Sequence, residues 1–194
     1  MPKLGMEPIR RAALVKSAIA EIGEAGSLDV TVSRIAKRAG VSSALAHHYF
    51  GGKEDLLIAA MRHILGNYGT SIRSVLADAD TPRARLDAIV QGSFGPENFT
   101  PATIAAWLNF YVHAQSNPGA RRLLNIYQVR LRSNLIYALK PLVGARAEEL
   151  AETIAAMIDG LYIRHALGGE ADGAEAIARV TGLIDILLEK VEGR

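Results

Sequence analysis

Apolar residues recur along this chain at three- and four-residue steps. Ile9, Ala12, Val15, Ile19 and Ile22 share one face of a predicted helix that Gly26 ends. Thr31 stands before Val32, Ile35 and Ala36, where its hydroxyl can cap a short second helix closed by Gly40. Ser42 is the next cap, for a two-turn helix over Ser43 to Tyr49. Gly51-Gly52 interrupts, and a longer helix runs from Lys53 to about Asp78 with Leu56, Leu57, Ala60, Ile64 and Leu65 as its stripe. Thr81-Pro82 and Thr100-Pro101 each offer a cap followed by proline at the first helical position. Gly95-Pro96, Asn117-Pro118-Gly119, Lys140-Pro141 with Gly144, and Gly168-Gly169 are expected stops. No alternating, β-branched run bounded by hairpin turns occurs. The predicted fold is all-α: a three-helix head on a C-terminal bundle of about six helices.

The longest stretch free of Asp, Glu, Lys and Arg is Asn98 to Ala120. Its Asn, Gln, His and Pro content argues for a buried helix rather than a membrane span. No signal peptide is visible. The 194 residues include no cysteine, which excludes disulfides, thiolate catalysis and Cys-type metal sites. Net charge is only +2, so a bulk polycation is excluded too. The charge is nevertheless uneven: residues 1–50 carry seven basic and four acidic groups, which suggests an anionic partner for the head.

Two short helices joined by Ala39-Gly40-Val41-Ser42 have the spacing of a helix-turn-helix, with Gly40 free to take a positive φ and Ile35, Ala36, Val41 and Leu45 packing the pair. An ordinary helical hairpin uses the same glycine turn. The wider string is Thr31-Val32-Ser33-Arg34-Ile35-Ala36-Lys37-Arg38-Ala39-Gly40-Val41-Ser42, then His48-Tyr49-Phe50 and Lys53-Glu54-Asp55-Leu56-Leu57. It resembles the DNA-binding region of the TetR family of bacterial repressors. The resemblance covers residues 9–60 and implies a homodimer, a variable C-terminal ligand domain and release of operator DNA when a ligand binds. It divides the chain into a DNA-binding domain, 1–52, and a ligand-binding and dimerisation domain, 53–194.

The same resemblance assigns roles. Thr31 caps the supporting helix and reaches toward phosphate. Ser42, Ser43 and Ala44 open the recognition helix, Ser43 and His48 meet base edges, His47 and Tyr49 lie closer to the backbone, and Lys53 meets phosphate. Phe50 is expected in the core. Ala44 and His47 depart from the glycine and tyrosine usual in the family. His47-His48 lack an acid one turn away, and no metal or cofactor is expected.

The opening Met1-Pro2-Lys3-Leu4-Gly5-Met6, with Ile9-Arg10-Arg11, Ala106 to Phe110 and Ile158 to Arg164, resembles a choline-responsive branch of that family, whose members control glycine betaine synthesis. Choline is a quaternary ammonium without a donor on nitrogen, so a site needs ring faces and a carboxylate. Trp107, Phe110 and Tyr111 share one helix face, and Asp159 and Tyr162 sit one turn apart in an otherwise uncharged run. These five are the candidate ligand residues, with Tyr127 a further one. The aromatics can equally be core, and Asp159 can face solvent or pair with Arg164 or His165. A different hydrophobic or cationic ligand is the alternative. Leu150, Ile154, Met157, Ile158 and Leu161, and Ile177, Val180, Ile184, Leu187 and Leu188, form stripes on the last two helices that fit either the core or a dimer seam. No enzyme motif is found, and a cytoplasmic, nucleoid-associated protein acting on double-stranded operator DNA is expected.

Overall fold

The computed structural model describes residues 5–168 and 172–192. Met1–Leu4 of the opening string, and Gly169 of the Gly168-Gly169 stop, lie outside the described residues. Nine α-helices are found among the described residues: α1 (Met6–Ala25), α2 (Val32–Arg38), α3 (Ser43–Phe50), α4 (Lys53–Ala77), α5 (Pro82–Phe94), α6 (Pro101–Ser116), α7 (Pro118–Val143), α8 (Ala147–Gly168) and α9 (Gly173–Glu192). The bounds follow the caps. Thr31, Ser42 and Thr81 accept from the backbone N–H three residues on, and Pro82 occupies the first turn of α5. Gly26 ends α1 at φ 62°.

The chain forms two compact units, residues 1–64 with 101–123 and residues 65–100 with 124–194. In the first, α1 packs on α2, α3 and α6, and α2 on α3. Leu14, Ala18 and Ile22 of α1 and Ile35 and Ala36 of α2 are fully buried, as are Leu56, Leu57, Ala60 and Met61 of α4. Ile104, Ala106, Trp107 and Phe110 of α6 belong to the same buried set. The expected stripe of α1 is only partly core. Ile9 is 61% exposed, and Ala12 is exposed as well. Periodicity registers a face but not how far along the helix a neighbour extends.

In the second unit α5 and α8 both pack on α9. Leu150, Ile154, Ile158 and Leu161 of α8 and Val180 and Ile184 of α9 are buried within the single chain. Met157, Ile177, Leu187 and Leu188 are half-buried. Among the described residues, the large apolar side chains left exposed on these helices are Ile163, Leu167 and Ile186.

Pro141 does not stop a helix. α7 continues through it to Val143. The proline lies in the last turn, where it removes one backbone bond, and the buried Leu139 and Val143 hold that turn in place. Gly144, at φ 56°, ends the helix instead.

Candidate DNA interface and ligand site

The head is assembled from polar ties that cross from helix to helix. Gly40 takes φ 68°, and Val41 N–H donates to Ala36 O at 3.0 Å, closing the turn between α2 and α3. Ala46 is the fully buried residue of α3, while Val41 and Leu45 are half-buried. A small residue at the contact lets α3 approach α2 closely.

Glu21 of α1 is 5% exposed and sits between two arginines of α2. Arg38 Nε donates to Glu21 Oε1 at 2.8 Å, and Arg34 Nη2 lies 2.8 Å from Oε2. Arg38 also donates to Glu24, and this bond holds the Glu24 carboxyl below its ordinary range. Arg11 Nη1 donates to Tyr49 O at 2.6 Å, with its guanidinium 4.6 Å from the Phe50 ring centroid. Phe50 is therefore half-buried beneath an arginine rather than fully in the core. These ties fix α2 and α3 on α1, and part of the head's positive charge is spent internally.

Around α3 the expected contact residues fall into distinct settings. Thr31 and Ser42 spend an oxygen on caps, each accepting at 3.2 Å. Ser43 Oγ donates to Ser33 Oγ at 3.2 Å. Ala44, His47 and His48 are exposed, and Tyr49 is half-buried. His47 Nδ1–H donates to Gly51 O at 3.2 Å, and the side chain is exposed. His48 and Tyr49 have ring centroids 5.7 Å apart. Lys53 opens α4, with Nζ 3.9 Å from the exposed Asp29 carboxylate. That weak pair is one a phosphate can displace.

The five expected ligand residues divide between the units. Trp107, Phe110 and Tyr111 are in the first. Phe110 is 1% exposed and is core; Trp107 is 4% exposed, with its ring 5.9 Å from that of the half-buried Tyr111. Asp159 and Tyr162 are in the second, among aromatic rings. Tyr127 Oη donates to Asp159 Oδ1 at 3.0 Å. The Tyr127 ring meets Tyr68 edge to face at 5.2 Å. Tyr68 Oη and Ser93 Oγ are 3.1 Å apart, and Tyr162 donates to Ser93 O. Phe94 stacks on Tyr162 at 5.6 Å, and Phe99 meets it edge-on at 5.0 Å. Asp159 is half-buried and accepts from Tyr127, so it is not a fully exposed carboxylate. The sequence had singled out Tyr127 without a partner; Tyr68 it had not singled out at all.

Burial pushes the Tyr68 and Tyr162 hydroxyls well above the ordinary tyrosine value, and the negative charge of Asp159 adds to both shifts. A raised value favours the neutral phenol in the fold. The stability this contributes is complete below about pH 10 and is lost as the pH climbs further, because the unfolded chain ionises first. In an alkaline titration, two of the six tyrosines should ionise only together with loss of helical circular dichroism. Tyrosinate absorbance reaching six equivalents with the helix signal intact would contradict this burial.

A short helix held across the end of a three-helix head, with small and hydrogen-bonding groups outward, defines a helix-turn-helix DNA-binding regulator. Residues 14–60 match the bacterial regulatory proteins of the TetR family. Residues 82–189 match the C-terminal domain of BetI-type transcriptional repressors. The transcriptional regulator BetI of Brucella melitensis is 55% identical over 97% of this chain and 96% of its own. BetI of Rhizobium meliloti is 52% identical over 93% and 90%. A transcriptional regulator from Pseudomonas aeruginosa PAO1 superposes with a TM-score of 0.81 at 25% identity, covering 96% of this chain and 93% of that one. One from Saccharomonospora viridis, solved in complex with choline, does so with a TM-score of 0.80 at 23% identity, covering 90% and 95%. This chain belongs to the TetR family of transcriptional regulators, in the branch of BetI-type repressors, and so acts by binding DNA and an effector rather than by catalysis. No helix among the described residues is long and apolar enough to cross a membrane.

Proposed function

We propose that this repressor responds to choline, acts as a cytoplasmic homodimer on a palindromic operator, and controls the genes that convert choline to glycine betaine, a product used in osmoprotection. The observation that carries the reading is Asp159, a half-buried carboxylate bonded to Tyr127 and electrostatically coupled to Tyr68 and Tyr162. A half-buried anion held by a tyrosine hydroxyl, with two further tyrosines within reach of its charge, suits a cation that cannot donate a hydrogen bond. The BetI relatives and the choline-bound Saccharomonospora protein support the same ligand. Trp107 and Tyr111 belong to the other unit, and their expected role toward a ligand is tested separately by their own substitutions. Titrating choline into the protein bound to an upstream promoter fragment should release the fragment at millimolar choline or below, with glycerol as a neutral control. Lipophilic cations acting where choline does not would instead favour another ligand.

For the DNA side we propose that Ser43 and His48 face base edges, with Ser42 and Ala44 beside them at the start of the recognition helix, and that Thr31, His47, Tyr49 and Lys53 lie toward the phosphate backbone. Two recognition helices related by a two-fold axis would then meet successive major grooves. Lys53→Ala should weaken binding to every sequence and reduce the salt dependence by about one counterion per subunit. Ser43→Ala or His48→Ala should change sequence preference by roughly 1–3 kcal/mol. Gel shifts across a salt series and an operator library separate the two effects. Wild-type behaviour in all three variants would refute the docking.

A further inference from the structure

The second unit also holds a cavity of about 330 Å3 whose chemistry is opposite to that around Asp159. Tyr68, Ile72 and Leu76 of α4 form one wall, and Ile126, Tyr127 and Val129 of α7 the other. Arg73 and Arg130 also line it. The Nη1 atoms of these two guanidiniums lie 3.4 and 3.8 Å from the point where a Cβ on residue 69 would stand. Residue 69 is glycine, so the arginines converge on one spot. Arg73 is held there, because its Nη2 donates to Thr70 Oγ1 at 2.9 Å, and that hydroxyl in turn donates to Gly66 O at 2.9 Å. Neither arginine forms an ion pair among the described residues.

Two like charges brought together without an acid repel each other, and an anion placed between them reverses the sign of the interaction. The walls behind them are aliphatic and aromatic. The volume sits at the lower end of small-molecule sites. A quaternary ammonium is repelled from such a mouth; an amphiphilic anion is attracted to it.

We propose that this cavity binds an amphiphilic monocarboxylate of medium chain length, with the carboxylate between Arg73 and Arg130 and the chain along Ile72, Leu76 and Ile126. It is a second ligand site, distinct from the cation site assigned to Asp159, and it stands whether or not choline binds. Tyr127 belongs to both, its ring in the cavity wall and its hydroxyl on Asp159.

The test is calorimetric titration of the full chain with decanoate, kept below its micellar concentration, into wild type, Arg73→Gln, Arg130→Gln and the double variant. Decanoate should bind wild type saturably, each single variant should bind at least about tenfold more weakly, and the double variant should show no saturable binding. Decyltrimethylammonium, with the same tail and the opposite charge, should not displace decanoate. Both arginines are exposed, and unfolding midpoints of the variants should match wild type, so a lost signal reports the site and not the fold. Equal decanoate affinity in wild type and the double variant would overturn the proposal. So would displacement by the cationic surfactant, or the absence of saturable binding to wild type.

Discussion

Replacing Gly23 by alanine should lower the stability of the protein and its affinity for operator DNA together. A Cβ on residue 23 would stand 2.7 Å from both Cα and Cβ of Ala102. Neither atom can rotate away, so α6 would have to withdraw from α1. The Asn109 side chain, which donates to Gly26 O at 3.2 Å and ties α6 to the end of α1, would be strained by the same shift. Overpacking of this kind costs about 1–3 kcal/mol. For a chain of this length that corresponds to a melting temperature lower by roughly 2–12 °C. The DNA effect follows because α1 carries Glu21, Glu24 and Arg11, the groups that fix α2 and the end of α3. Gly66→Ala is the matched control. Nothing lies within 4 Å of its Cβ position, it is inside α4, and alanine there should stabilise by about 0.5–1 kcal/mol. Identical melting of wild type and Gly23→Ala would refute the close contact of α1 with α6.

Much of the local structure was legible in the sequence because its signals are local. Gly26 ends α1 and Gly40 takes the positive φ expected of its turn, and Thr31, Ser42 and Thr81 make the cap bonds expected of them. The features that escaped depend on groups distant in sequence. Glu21 meets Arg38 across 17 residues, and Arg11 meets Tyr49 across 38. Tyr127 meets Asp159 across 32 residues, so a pattern search could flag both without joining them. The stop expected at Lys140-Pro141 with Gly144 falls at its glycine rather than its proline, because a proline near a helix end costs one backbone bond and buried neighbours on either side outweigh that. Phe110, spaced like a pocket residue, is core, because i, i+3 and i+4 spacing describes a helix face and not what that face meets.

Asp159→Asn should abolish the response to choline while leaving folding and operator binding in place. Asparagine keeps the shape of the side chain, and its carbonyl oxygen can still accept from Tyr127 Oη, so the ring arrangement survives. Only the charge is lost. A quaternary ammonium has no N–H to offer an amide, so its attraction to the site then rests on ring faces alone, worth at most about 2 kcal/mol each when desolvated. The loss of the charge should weaken choline by at least about tenfold, or roughly 1.4 kcal/mol. Tyr127→Phe keeps a ring face and removes the hydroxyl that orients the carboxylate, so its loss should be smaller. Trp107→Ala asks whether the ring expected from the sequence contributes as well. An effector shifts the DNA equilibrium only through its different affinity for the two states. The Asp159→Asn protein should therefore remain on the operator at choline concentrations that release wild type. Calorimetry with choline and a gel shift on the same preparations measure both halves. Equal choline affinity in wild type and Asp159→Asn would remove the carboxylate from the site, and normal release in a variant that no longer binds choline would break the link between the ligand and the DNA.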